Sequence, residues 1–279
     1  MPLPNLVVIG AQKCGTSSLE HYLDLHPEIA MAKQKKHELN FFSWESVWRR
    51  GVDWYGQQFA DAPVRGEKTN WYAAWPFWPY VPERMHDVIP DVRLIYLVRD
   101  PIDRAVAGWH FATRHDDEWR PFETTFAEFE DNLHVARSRY AMQLDRYLAH
   151  FPQEQILVVD SHDLRTDRDT TLSRIYGFVG VDPTFTSPSF DEQMQVADQG
   201  RWLSPNGLRI VKTLNHTIGP KTTARIGSLV PKRMNVLDRP AVPRPVASDE
   251  LRERLTELLA PDVERLRKLT GQSFASWSI

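Results

Sequence analysis

Residues 5–25 read NLVVIGAQKCGTSSLEHYLDL. The apolar run at 5–9 suits a short buried strand, Gly10 ends it, and from Thr16 to Leu25 the apolar residues recur at helical spacing. Strand, loop and helix in that order put residues 10–18 where free backbone N–H groups and the positive end of a helix dipole attract an anion. Lys13 adds a mobile cation, Cys14 and Gly15 carry the turn, with Gly15 letting the backbone close on a ligand, and Thr16, Ser17 and Ser18 add hydroxyl donors. The stretch predicts a phosphate loop; a plain helix-capping turn is the alternative. A Walker A loop ends in Gly-Lys-Ser/Thr, whereas here the lysine comes early and none follows Gly15, so an ordinary ATP or GTP site fits badly.

The opening pattern repeats. VRLIYLV at 92–98 is a second buried-strand candidate, followed by Asp100 and by Pro101, which suits the first turn of a helix running through Trp109. Residues 155–159 give a third strand after an amphipathic stretch at 138–150, and a helix at 169–179 follows. Strands alternating with helices predict an α/β, three-layer P-loop-type fold whose central parallel sheet is flanked by helices. Beyond Asp182, prolines 183, 188, 205, 220, 231, 240, 243 and 245 break the alternation, which predicts a Pro-rich lid and loops over 182–247. The chain closes on a capped helix at 248–269 with Leu251, Leu255, Leu258 and Leu259 on one face. We therefore expect one domain over 1–279: a core to 181, the lid, and a terminal segment at 248–279 docking on the core.

Composition narrows the classes. A net charge of -3 argues against a general nucleic-acid binder, which needs a basic face, and 42% hydrophobic with 25% charged residues is ordinary for a globular protein. No apolar run approaches the length of a membrane span, the short apolar start lacks a basic flank, and Cys14 is the only cysteine, so a cytoplasmic location is the expectation. Histidines and carboxylates show no ligand spacing such as His-Glu-x-x-His, so no metal is expected. Of ten tryptophans, Trp44, Trp48, Trp54, Trp71, Trp75 and Trp78 cluster in sequence. Most are expected in the core, with the rest shaping an acceptor cleft.

The string Lys13-Cys14-Gly15-Thr16-Ser17 resembles the first phosphate loop of the P-loop sulfotransferases. In order after it, LDLHPEIAMAKQKKHELNFFSWE, GVDWYGQQF, GEKTNWY and PERMHDVIPDVRLIYLVRDPIDRA are similar to the heparan sulfate branch of that family, and the resemblance covers residues 5–181. It implies transfer of a sulfuryl group from 3'-phosphoadenosine 5'-phosphosulfate (PAPS) to a hydroxyl, or less readily an amine, of a small-molecule or carbohydrate acceptor, leaving 3'-phosphoadenosine 5'-phosphate (PAP). By the same resemblance Lys13 meets the 5'-phosphate and the bridging oxygen, Lys68 lies near the transferring group, and Arg99 binds the 3'-phosphate, a task that suits a forked guanidinium. The family usually places a serine where this chain has Ala107, so His110 or a backbone N–H would have to compensate. By the resemblance Gly200 and Arg201 correspond to a loop that closes over the donor, with a surface arginine as the alternative.

Such a transfer needs an acceptor deprotonated as it attacks, positive charge at the bridging oxygen, and an in-line arrangement. Glu38 matches the family's catalytic base, and its neighbours Phe41 and Phe42 suggest a desolvated carboxylate. His37, with a ring suited to proton transfer near neutral pH, is the rival base, and Asn40 stands where one branch has an assisting histidine. Lys33, Lys35 and Lys36 form a basic run that is a solvated face or steers an anionic acceptor. The alternatives are a solvent-facing Glu38, an outward Lys68 and a structural Arg99–Asp100 ion pair. For the whole chain they are a P-loop phosphotransferase (kinase), requiring Mg²⁺, and a nucleotide-binding module without catalysis. No motif identifies the acceptor or the oligomeric state.

Overall fold

The computed structural model describes residues 2–33, 38–115, 118, 120–129, 132–191, 213 and 243–279. In chain order the larger elements are β1 (Leu6–Gly10), α1 (Thr16–Leu25), β2 (Ile29–Met31), α2 (Glu45–Trp48), α3 (Gly51–Gly56), β3 (Val64–Lys68), α4 (Val81–Val88), β4 (Arg93–Val98) and α5 (Pro101–His115). There follow α6 (Phe122–Thr125), α7 (Leu133–Ala136), α8 (Tyr140–Leu148), β5 (Ile156–Asp160), α9 (Ser161–Thr166), α10 (Arg168–Val179) and α11 (Asp249–Thr270). The three strands expected from apolar runs are β1, β4 and β5, each within a residue of its expected bounds. β2 and β3 carry no such signal: β2 has only three residues, and β3 reads VRGEK, with its glutamate buried instead of exposed.

All pairings are parallel, in the order β2-β3-β1-β4-β5. From β1 the chain moves through β2 and β3 to one side, and from β4 it moves to β5 on the other. The crevice between the ends of β1 and β4 is therefore the topological switch point, where open parallel sheets bind ligands. The loop after β1 and the junction after β4 flank it, joined where Ala11 N donates to Leu97 O at 2.7 Å. The sheet is fully buried along β1 and nearly so along β4, as strands covered on both faces by helices must be.

Helix α11 is capped by Ser248, whose hydroxyl accepts from Leu251 N at 3.2 Å. Its first half buries Leu251, Leu255 and Leu259 in a cluster with Ile102, Val106 and Trp109 of α5 and Phe122 and Phe126 beside α6, while Leu258 is only partly covered. After Pro261 the second half turns Val263 and Leu266 into the main core around the sheet. Of the Pro-rich segment expected to form a lid, residues 192–212 and 214–242 lie outside the described residues, Gly200 and Arg201 among them. Among the described residues no helix is long and apolar enough to cross a membrane. Of the six clustered tryptophans, Trp48, Trp54 and Trp78 pack partly buried against the main core, with Arg50 over Trp54 and Arg84 over Trp48; none is fully buried, and Trp44 is 45% exposed.

Candidate active site

The loop after β1 turns through two left-handed residues, Lys13 at φ 71° and Gly15 at φ 90°. A glycine meets the second without strain, while the lysine holds a conformation that costs a side-chain-bearing residue on the order of 1–3 kcal/mol. Gly15 is the N-cap of α1 and no side chain caps the helix; Ser18 N donates back to Gly15 O at 3.0 Å, and among the described residues the N–H groups of Thr16 and Ser17 are left for another acceptor. Thr16 points its hydroxyl away from the helix and donates to Asn70 Oδ1 at 2.8 Å. Ser17 is exposed and Ser18 half-buried, both on the first turn. The Lys13 ammonium lies 4.8 Å from the centre of the Phe111 ring on α5. Cys14 turns inward: its side chain is buried, Sγ lies 3.7 Å from the Tyr140 hydroxyl, and burial pushes the thiol up to about 11. It is a packed thiol whose backbone alone belongs to the loop.

Arg99, at the end of β4, donates from one guanidinium nitrogen to Lys13 O at 3.3 Å and from the other to Asp103 at 2.8 Å. The expected alternative pair with Asp100 is absent because Asp100 accepts from Asp103 N at 2.8 Å and from Ser278 N and Oγ at 2.6 Å. Arg99 is thus tied across the switch point to the phosphate loop, and its ion pair is one turn along α5. Ala107 is buried, 6% exposed, one turn beyond Asp103 and one before Phe111, so these three share the face of α5 turned toward Lys13. His110 is half-buried on the same helix.

The third loop follows β3. Lys68 is only 11% exposed and lies between two carboxylates, Glu38 at 3.3 Å and Glu20 of α1 at 3.4 Å, which excludes an outward lysine. Glu38, 18% exposed, is not the solvent-facing acid of the alternative reading. One of its oxygens accepts from Lys68 and, at 2.5 Å, from Asn70 Nδ2; the other accepts from Asn70 N at 3.1 Å. Phe41 and Phe42, expected beside the carboxylate, point into the core instead, Phe41 stacking on Tyr55 with centroids 4.1 Å apart, and so anchor the segment while the carboxylate faces donors. Asn40 is buried at φ 53° and donates to Glu38 O at 3.0 Å, holding the main chain and not the carboxylate. Lys33 donates to Gln57 O at 3.2 Å. His37, Lys35 and Lys36 lie outside the described residues.

Sequence reasoning missed three participants. Asn70 joins the Glu38 carboxylate to the Thr16 hydroxyl and so links the loops after β3 and β1. Glu20 is one helical turn from Thr16, a spacing that was legible, and its carboxyl is raised by burial despite Lys68. Arg137 donates to Gln12 Oε1 at 2.9 Å and stacks 4.1 Å from the Trp71 ring, bringing a guanidinium to the phosphate loop from 125 residues away, a contact no local pattern announces. Lys13, Lys68, Arg99 and Arg137 converge here with Glu20 and Glu38, an arrangement able to hold an anion and, a few ångströms from it, to take up a proton.

This geometry has parallels in known proteins. The chain is 30% identical over 206 residues to the human bifunctional heparan sulfate N-deacetylase/N-sulfotransferase 3, covering 66% of this chain and 23% of that protein. It is 28% identical over 191 residues to the human heparan sulfate glucosamine 3-O-sulfotransferase 5, covering 65% and 54%. The chain therefore spans from about a quarter to about half the length of these relatives. Among solved structures, a sulfotransferase from Alicyclobacillus acidocaldarius matches over the full length of both chains with a TM-score of 0.69 and 25% identity. The phosphate loop, the arginine after β4 and the paired lysine and glutamate all lie within residues 3–200, which match the model of the sulfotransferase domain, and the chain belongs to that family.

Proposed function

We propose that this protein transfers the sulfuryl group of PAPS to a hydroxyl of a carbohydrate or a small molecule resembling one. The observation that carries this reading is the linkage of Glu38, through Asn70, to Thr16 on the phosphate loop, with Lys68 against the same carboxylate. A proton acceptor is thereby fixed beside an anion cradle. The residues fit the donor: first-turn N–H groups, the hydroxyls of Thr16, Ser17 and Ser18, and Lys13 suit the 5'-phosphate, and Arg99 suits the 3'-phosphate. In the reaction the acceptor oxygen forms a bond to sulfur, and the bond from sulfur to the 5'-phosphate oxygen breaks. PAP departs with that electron pair, and the acceptor proton passes to Glu38. Lys13 and Lys68 offset the charge developing on the departing oxygen. The names of the heparan sulfate relatives favour a sugar hydroxyl, with an amine as the second choice.

The test is turnover with labelled PAPS beside calorimetric PAP titration. Glu38→Gln keeps the shape and loses the proton sink, so turnover falls by about 10²–10⁴-fold with PAP affinity retained. Parental turnover in that variant would move the base role elsewhere, with His37 next in line. PAP binds without metal and in preference to ATP and GTP; a preference for ATP with Mg²⁺ would favour phosphoryl transfer instead.

A further inference from the structure

Glu67 is the least expected residue near the site: a carboxyl group 1% exposed one residue before the end of β3, with no basic partner among the described residues. Three hydroxyls serve it. Those of Tyr55 and, at 3.0 Å, Tyr72 donate to one oxygen, and that of Thr69 donates to the other at 3.1 Å. Two of these hydroxyls also accept. Thr69 Oγ1 takes the N–H of Asn40 at 3.4 Å, and the Tyr72 hydroxyl takes the N–H of Phe42 at 3.4 Å. Both N–H groups lie in the short segment that carries Glu38, and Asn40, in its left-handed turn, then donates to Glu38 O. A hydroxyl has one proton to give, so committing it to a carboxylate turns its lone pairs toward the N–H groups behind it. An apolar residue at 67 would leave these hydroxyls without that orientation.

We propose that Glu67 is a positioning residue, whose carboxylate sets the Thr69 and Tyr72 hydroxyls to grip the main chain at Asn40 and Phe42 and so aims Glu38 at the acceptor. This rests on the reading of Glu38 as base. Cores seldom keep a carboxylate without a basic partner, since burying it costs several kcal/mol. Three hydrogen bonds offset part of that cost here, and two of the three hydroxyls lead on to one loop, from the strand that also delivers Lys68.

Hydrogen exchange over residues 38–43, PAP titration and turnover with PAPS, measured on the full chain, test it. Glu67→Gln and Thr69→Val raise exchange in that segment and lower kcat by about 10–10²-fold, the loss expected of a small misplacement, while PAP affinity holds. Thr69→Ser, which keeps the hydroxyl, restores both. Tyr72→Phe loosens Phe42 and checks the second arm should Glu67→Gln fold poorly. Unchanged exchange at 38–43 in Glu67→Gln overturns the proposal, as does parental kcat in Thr69→Val, or exchange raised across the whole chain together with lost PAP affinity. Exchange does not depend on what Glu38 does chemically. If Glu38→Gln retains full turnover, the base reading falls alone, and exchange still decides whether Glu67 holds the segment.

Discussion

Arg99 and Lys13 act as one unit, because the guanidinium donates to the lysine's own carbonyl across the switch point. On the proposed reading, an incoming phosphate would meet a cation already oriented by Asp103, with little side-chain entropy left to lose on binding. Lys13→Ala or Arg99→Ala should each weaken PAP binding by about 1.5–3 kcal/mol, the worth of a charge-assisted contact, in a calorimetric titration. If both variants bind as the parent does, the donor lies elsewhere. Ala107 shares the face of α5 with Asp103 and Phe111, and Ala107→Ser places a hydroxyl there. PAP affinity should rise modestly or stay level. A marked loss in a variant of parental melting temperature would mean that the side chain meets packed atoms and that the match to the family after Arg99 is out of register.

At the scale of elements, a half-buried and a buried carboxyl show how helices and strands are joined. Asp262 on α11 accepts from Ala141 N and Met142 N, both at 2.9 Å, and so caps α8 from another element. Asp262→Ala leaves two first-turn N–H groups of α8 without that partner and should cost on the order of 2 kcal/mol in denaturant unfolding. Burial raises the Asp262 carboxyl to about 6 and that of Glu67 to about 7. A carboxyl raised on folding holds its proton more tightly in the folded chain. The stability Glu67 contributes is therefore complete below its ordinary 4.5 and is lost as pH rises through about 7. Asp262 behaves likewise over the lower window from 3.8 to about 6. Glu67→Gln removes the upper part of this loss, so its unfolding free energy should fall less than the parent's between pH 6 and pH 8. Equal slopes would place the titration on another group.

Across the whole molecule, the last residues close the end of the sheet that carries the site. Trp277 is 8% exposed, stacks on Phe274 at 4.4 Å, meets Tyr140 at 5.7 Å and donates to Asp160 at 2.9 Å. Ser278 holds Asp100, and Tyr140 in turn donates to Arg99 O at 2.9 Å, so the tail braces the junction that presents Arg99. Trp277→Ala should cost about 3 kcal/mol of stability by leaving a cavity and removing the indole donor from Asp160, which keeps His162 N and Ser276 Oγ, whereas Trp44→Ala at the exposed rim should change it by no more than about 0.5 kcal/mol. Thermal and denaturant unfolding of the two variants separate these outcomes.

The sequence by itself determined the strands β1, β4 and β5, the loop between β1 and α1 and the capped terminal helix, and its resemblance to a family singled out Lys13, Glu38, Lys68 and Arg99. Apolar runs, helical spacing and a short motif are all local and survive in one dimension. Tertiary structure alone decided the rest. β3 was illegible because a strand whose glutamate is buried among hydroxyls does not read as apolar. Arg99 pairs with Asp103 instead of Asp100 because the tail claims Asp100, a contact across 178 residues. Phe41 and Phe42 turn inward because Tyr55 offers a stacking partner, and that leaves Glu38 to face Lys68 and Asn70. Hydrogen bonds and ion pairs are made with whatever the fold brings within about 3 Å, and separation along the chain carries no record of that.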